Sequence, residues 1–187
     1  MGLSYQMEIA GIKRALPLCR LTDDLYIAAF IILGDPELTT ACARDLLKIA
    51  PEYDVILTAE AKGIPLGHEM ARLAGNQKYV VARKAAKLYM TDVFSVSVQS
   101  ITTQGAQTLF LDVTDAEYMR GKRVLIVDDV ISTGESLNAL QSLVQKAGGI
   151  VAGKMAILAE GDACARTDIQ YLAPLPLFKP DGTVLAV

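Results

Sequence analysis

The stretch from Val124 to Ser136, VLIVDDVISTGES, does most to limit what this chain can fold into. It opens on Val124-Leu125-Ile126-Val127, an apolar run rich in β-branched residues. So short and uniform a run suits a strand buried on both faces, the pattern of a parallel sheet. Asp128 and Asp129 stand at its carboxyl end, followed by Ser132-Thr133-Gly134 and Ser136. Beyond them Leu137, Leu140, Leu143, Val144 and Ala147 recur at three- and four-residue spacing, the stripe of an amphipathic helix. Gly148-Gly149 stops that helix. The order is strand, acidic pair, hydroxyl-glycine loop, helix, which is one half of an α/β crossover.

That order has chemical consequences. Backbone N–H groups, hydroxyls and glycine at a helix N-terminus form a phosphate cradle. Two carboxylates beside it would repel a bare phosphate. They suit a ligand that also brings hydroxyl donors or a magnesium ion. A sugar phosphate with a diol meets both demands. The competing reading is a buried strand with two solvated acids and a capping hydroxyl. The other common phosphate motifs, GxxxxGK[ST] and GxGxxG, are absent.

A second strand-loop-helix lies upstream. Val55-Ile56-Leu57-Thr58-Ala59 reads as a buried strand running into Glu60-Ala61-Lys62-Gly63-Ile64-Pro65. The helix after it turns Leu66, Met70 and Leu73 inward and ends at Gly75-Asn76. Two such loops at the carboxyl ends of parallel strands face one crevice. A third strand, Tyr79 to Ala82, leads into Arg83, Lys84 and Lys87, a positive patch suited to a polyphosphate or simply to solvent. Val93 to Ile101 and Thr108 to Leu111 read as a flexible β-ribbon interrupted at Gly105.

The flanks are less regular. Residues up to about Arg20 read as a helical turn and a loop broken at Pro17, and Leu25 to Leu33 as a strand. Asp35 caps a helix with Pro36 at its first position, running to about Ala50 with Leu38, Ala41, Cys42, Leu46 and Ile49 inward. Ile150 to Ala159 reads as a strand broken at Gly153, with Glu160 at its carboxyl end. The proline-containing tail, Tyr171 to Phe178, suits an edge strand.

VLIVDDVISTGES resembles the phosphoribosyl-pyrophosphate (PRPP) motif of type I phosphoribosyltransferases, and Glu60-Ala61-Lys62-Gly63 resembles their pyrophosphate loop. The resemblance runs from about Leu25 to the end. It implies an α/β fold: the Rossmann-like parallel sheet of a type I phosphoribosyltransferase, with a flexible β-ribbon lid and a small hood. Residues 1–187 then form one domain, with 1–24 as hood and 84–107 as lid. The implied activity moves ribose 5-phosphate from PRPP to a base, with magnesium carried on the substrate. The resemblance assigns Asp128 and Asp129 to the ribose hydroxyls, reaching the metal only through those hydroxyls or water. Val130, Ile131, Ser132, Thr133, Gly134, Glu135 and Ser136 complete the PRPP site. Glu60, Ala61, Lys62, Gly63, Arg83, Lys84 and Lys87 take the pyrophosphate, and Asp128, Asp129 and Lys87 carry the catalysis. Adenine-type enzymes often carry a lid Glu before Tyr-Gly; Thr103-Gln104-Gly105 stands there instead.

The base is contested between purine types. The lid stretch ARKAAKLYMTD with SVQSITTQ looks like xanthine phosphoribosyltransferases. Leu16-Pro17-Leu18-Cys19-Arg20 and LAPLPLF look like adenine phosphoribosyltransferases, which places Leu18, Cys19 and Arg20 at the base. Xanthine-type enzymes place a Lys at the strand end, facing an oxo group, and counting without gaps from the central motif puts Glu160 at that position. A carboxylate at Glu160 accepts from an exocyclic amino group and repels a carbonyl, which favours adenine over xanthine, hypoxanthine or guanine. Orotate enzymes usually show Glu-Asp where this chain has Asp128-Asp129.

Composition narrows the remaining classes. The 187 residues are 52% hydrophobic and 21% charged, enough for one sizeable core. A net charge of −3 argues against general binding to nucleic acid or an anionic membrane. A PRPP-sensing, non-catalytic regulator of transcription is the alternative from another class; the short N-terminal segment and the charge argue against it. Cys19, Cys42 and Cys164 are odd in number and far apart, and no signal peptide is visible, so the cytoplasm is the expected compartment. His68, the single histidine, reads as a surface or packing residue. The resemblance implies a homodimer.

Overall fold

The computed structural model describes residues 2–90, 93–99 and 106–186. In chain order the elements are β1 (Ser4–Ile9), β2 (Ile12–Arg20), β3 (Tyr26–Ala28), α1 (Pro36–Ile49), β4 (Val55–Ala59), α2 (Gly63–Ala74) and β5 (Val80–Ala82). Then follow β6 (Val93–Gln99), β7 (Ala106–Asp112), α3 (Val113–Met119), β8 (Arg123–Ile131), α4 (Glu135–Lys146) and β9 (Ile150–Glu160). A 3-10 turn, Gly161–Ala165, leads to β10 (Gln170–Leu175), β11 (Leu177–Phe178) and β12 (Val184–Ala186).

The central sheet runs β10-β9-β8-β4-β5, and all its pairs are parallel. The chain winds outward from β4 to β5, then returns to the other side of β4 to lay down β8, β9 and β10. The topological switch point therefore falls between β4 and β8, where open α/β sheets place their ligands. The pairing of β4 with β8 ends at Leu57–Ile126, while β8 continues against β9 as far as Ile131–Ala159. The two strands thus part at their carboxyl ends.

Strand alternation divides the core between the sheet's faces. Val124 and Ile126 join one apolar cluster with Leu137, Leu140, Leu143 and Val144 of α4 and with Leu109 and Leu111 of the β6–β7 ribbon. Leu125 and Val127 join the other, with Leu38, Cys42 and Leu46 of α1 and Leu66 and Met70 of α2. Each face is covered, as a parallel sheet requires.

Several sequence expectations need correction. The N-terminal segment forms a β-hairpin, not a helical turn. Met7, Ile9 and Leu16 are buried, and the turn at Ala10-Gly11 has positive φ at both residues, the geometry that matches the twist of paired strands. This hairpin belongs to a second sheet, β1-β2-β3-β11-β12. Pro17 does not break it; its carbonyl accepts from the Ala29 N–H. Of the apolar run Leu25 to Leu33 only Tyr26–Ala28 is strand, paired with β2 on one side and with the two-residue β11 on the other. Phe30 and Ile32 are still buried while Ile31 and Leu33 face out. β9 runs on through Gly153, but its register against β8 shifts there, from Val124–Val151 to Leu125–Gly153, and the absent side chain leaves room for the Pro51 ring. The tail splits, with β10 on the edge of the central sheet and β11 in the second one. Ile49 and Leu73 are half-exposed, not inward. The α1 helix, its Asp35 cap accepting from the Leu38 N–H at 3.0 Å, and the antiparallel β6–β7 ribbon stand as expected. Among the described residues no helix is long and apolar enough to cross a membrane.

Candidate active site

Two loops flank the gap at the switch point. The first follows β4. Its Glu60–Ala61 peptide is cis. Gly63 opens α2 so close to the sheet that a Cβ there would collide with the Thr58 hydroxyl and stand 3.1 Å from Asp128 Oδ1. No side chain larger than hydrogen fits without displacing one of them. Ala61 and Lys62 are exposed at the loop's crest.

The second loop follows β8. Asp128 and Asp129 lie inside the strand, three and two residues before its end at Ile131, because β9 keeps pairing with β8 as far as Ala159. Ile131 is buried, and Ser132 and Thr133 are exposed. Gly134 has φ +79° and stands at the N-cap of α4, so glycine meets a backbone demand there. A cavity of about 50 Å³ is lined by Asp128, by the whole segment from Val130 to Ser136, and by Leu137.

An ion pair joins the loops. Lys62 Nζ lies 2.8 Å from Asp129 Oδ2, at an angle that gives Oδ2 no hydrogen bond. Asp129 is 4% exposed. A buried carboxylate oxygen held only by one mobile ammonium is open to exchange that partner for a ligand. Asp128 Oδ1 accepts from the Asp129 N–H at 2.9 Å. Burial first, and then the negative Asp129 beside it, push the Asp128 carboxyl well above the usual carboxylate range.

Two of the cations after β5, Arg83 and Lys87, turn onto Glu60. Arg83 Nη1 donates to Glu60 Oε1 at 2.9 Å, the Lys84 N–H donates to Oε2 at 2.9 Å, and Lys87 Nζ stands 3.7 Å from Oε1. Burial works against the Glu60 charge, but these donors outweigh it and hold the carboxyl below its ordinary value. Arg83 and Lys87 are thereby gathered around one acid, while the Lys84 side chain is exposed. The loop residues Thr103, Gln104 and Gly105 lie outside the described residues.

Glu160 ends β9, and its carboxyl is pushed upward chiefly by burial, with Lys62 acting against that. Next to it, a Cβ on Gly161 would stand 3.4 Å from the Leu177 side chain. Leu177, Ile27 and Cys19 form one row across β11, β3 and β2. The second sheet therefore meets the carboxyl end of β9, with Cys19 about 10 Å from Leu177 at two strand spacings. Leu18 is half-buried, while Cys19 and Arg20 are exposed and Arg20 pairs with Asp23.

Two residues escaped the sequence reading. Thr58 is wholly buried beneath Gly63, and its hydroxyl has no hydrogen-bond partner among the described residues. Arg166, just past the 3-10 turn, packs on Gly134; a Cβ at position 134 would run into its Nη1 and stand 3.6 Å from its Cζ. A threonine inside an apolar strand run was a visible signal for the first. Nothing in the spacing joins Arg166 to Gly134. His68 is exposed, with its ring 6.0 Å from that of Tyr79, away from these loops.

Among the described residues no group of three or more His, Cys, Asp or Glu side chains is placed to hold a metal ion. The donor set fits a magnesium ion that arrives on a polyphosphate and meets Asp128 and Asp129 through hydroxyls or water.

Comparison with known proteins agrees with this geometry. Residues 36–170 match the family model "Phosphoribosyl transferase domain". An adenine phosphoribosyltransferase of Bifidobacterium adolescentis is 36% identical over 102 residues, covering 54% of this chain and 50% of that protein. The chain thus spans about half the length of that relative. A hypoxanthine/guanine phosphoribosyltransferase of Ferroglobus placidus is 31% identical over 133 residues, covering 71% of this chain and 67% of that one. The crystal structure of adenine phosphoribosyltransferase from Rhodothermus marinus superposes with a TM-score of 0.65 at 28% identity, over 77% of this chain and 83% of that one. The matched span runs from α1 through the start of β10 and takes in both loops, so the chain belongs to the phosphoribosyltransferase family.

Proposed function

We propose that this protein transfers ribose 5-phosphate from PRPP to a purine, adenine before others, releasing pyrophosphate. The observation that carries the reading is the Lys62–Asp129 ion pair across the switch point, which ties a pyrophosphate-type loop to a ribose-phosphate loop. In this reading Asp128 and Asp129 hold the ribose hydroxyls, and Ser132 to Ser136 take the 5-phosphate. Lys62, Arg83, Lys84 and Lys87 stabilise the departing pyrophosphate. The protein's contribution is orientation and charge stabilisation around a cationic C1. Magnesium, when bound with the substrate, offsets pyrophosphate charge. The second sheet serves as hood and the β6–β7 ribbon as lid. The assembly is a homodimer in the cytoplasm.

Adenine is preferred because Glu160 brings a carboxylate to the strand end that the hood row meets, and because relatives named for adenine share the sheet. The Ferroglobus placidus relative keeps hypoxanthine and guanine as the second reading, and the xanthine-like lid sequence keeps xanthine as a third. The test is a purine panel assayed for pyrophosphate release with PRPP and magnesium. Adenine is expected to give the highest kcat/KM, and Glu160→Lys to depress adenine turnover far more than PRPP affinity. Faster turnover of hypoxanthine, guanine or xanthine overturns the adenine assignment alone. PRPP binding without release from any base points to a sensor instead of an enzyme.

A further inference from the structure

The loop read as the 5-phosphate site has a charge problem. Val130 to Ser136 contains no Lys or Arg, and it contains Glu135 next to the acid pair. A phosphate monoester brought there meets hydroxyls and the α4 N-terminus beside an acid pair of which Asp129 already faces Lys62. Arg166 supplies a further cation from outside the motif. Its Nε donates to Asp168 Oδ1 and its Nη2 to Oδ2, each at 2.9 Å, a bidentate clamp that fixes the guanidinium plane. Among the described residues Nη1 has no acceptor, and it is the nitrogen that faces Gly134. Asp168 does not need Arg166 for neutrality, because Lys154 pairs with the same Oδ2. Lys154 is itself steadied by Gln141 of α4 at 3.3 Å. Two cations on one carboxylate leave net positive charge against the loop.

We propose that Arg166 is a positioning residue for the 5-phosphate loop, pressing on Gly134 to hold Ser132 to Ser136 in shape and lending the loop positive potential. The proposal rests on the reading of that loop given above. The guanidinium touches the loop and not the reacting atoms, so its effect falls on ligands that carry the 5-phosphate. Asp168 and Lys154 orient it from β9 and the turn before β10.

The test uses the full chain with ribose 5-phosphate and, separately, inorganic pyrophosphate with magnesium as calorimetric probes. Arg166→Met is expected to weaken ribose 5-phosphate about tenfold, as removal of one nearby charge at a partly exposed site should. It should leave pyrophosphate within about twofold of wild type, since that probe occupies the other loop. The salt dependence of ribose 5-phosphate binding should become shallower. Arg166→Lys should recover part of the loss. If Arg166→Met does not fold, Arg166→Lys and Arg166→Gln carry the same comparison. Ribose 5-phosphate affinity unchanged in Arg166→Met, or equal losses for both probes, overturns the proposal while the family activity stands. A wild-type protein that binds neither probe nor PRPP overturns the loop assignment and the proposal together.

Discussion

The two loops at the switch point solve one problem in opposite ways. The Glu60–Gly63 loop is rich in formal charge, and the structure has spent that charge on internal pairs: Glu60 with Arg83 and Lys87, Lys62 with Asp129. The Ser132–Ser136 loop is built from hydroxyls, backbone and a left-handed glycine, with its cation brought in from Arg166. A ligand at the first loop has to displace existing ion pairs. A ligand at the second fills a shape already made. In the proposed reading, the first is the side whose affinity depends on charge exchange, and the second the side whose affinity depends on backbone geometry.

The sharpest way to break the comparison is to remove the acid pair that both loops share. Asp128→Asn with Asp129→Asn should lower transfer at least about a hundredfold, or about 3 kcal/mol of transition-state binding, in steady-state assays with PRPP and magnesium. Circular dichroism should show the fold retained, because these carboxylates stand at the end of β8 and not in its apolar core. Near wild-type turnover would mean the acids do not hold the ribose.

Next comes the close approach that lets the first loop sit on the sheet. Gly63→Ala forces a methyl group onto the Thr58 hydroxyl and towards Asp128. Overpacking of this kind costs about 1–3 kcal/mol, so the thermal midpoint should drop by several degrees. Gly63→Ala with Thr58→Ser changes nothing at the offending oxygen and should not rescue, whereas Gly63→Ala with Thr58→Ala should. An unshifted midpoint in the single variant would show that the loop yields easily.

The smallest expected effect is electrostatic. The Asp128 carboxyl has its pKa raised by folding, so the folded state holds a proton that the unfolded chain releases. Its contribution is complete at pH below the ordinary carboxylate range and is lost as pH rises from there towards the raised value. Asp128→Asn has no such loss, and Oδ1 can still accept from the Asp129 N–H. The variant should therefore gain stability over wild type as pH rises from about 4 to 8, by on the order of 1 kcal/mol. Differential scanning across that range checks it. A difference that shrinks with pH would count against the raised Asp128 carboxyl.

How much was legible beforehand depends on how local the cause is. The buried strands at Val55–Ala59 and Val124–Val127, the stripes of α1, α2 and α4, and both loops could be read from contiguous residues. Their signals are apolar periodicity and turn chemistry, which act within a dozen residues. The N-terminal hairpin was misread because Pro17 looked like a breaker, although in the structure it keeps a strand position by accepting through its carbonyl. The run Leu25 to Leu33 announced burial correctly but not pairing, which depends on β2 on one side and on β11, from the far end of the chain, on the other.

The sequence by itself determined that this is an α/β chain with two strand-loop-helix units, since that pattern is written in hydrophobic spacing and in the Asp128-Asp129 motif. It also supplied the resemblance on which the family assignment could be tested. Only the tertiary structure decided which atoms meet. The order of strands put the Glu60 loop beside the Asp128 loop and let Lys62 reach Asp129. The placement of β10 beside β9 brought Arg166 onto Gly134. Sheet order sets these encounters, and it follows from how the whole chain buries both faces of one sheet, a property no short stretch of residues carries alone.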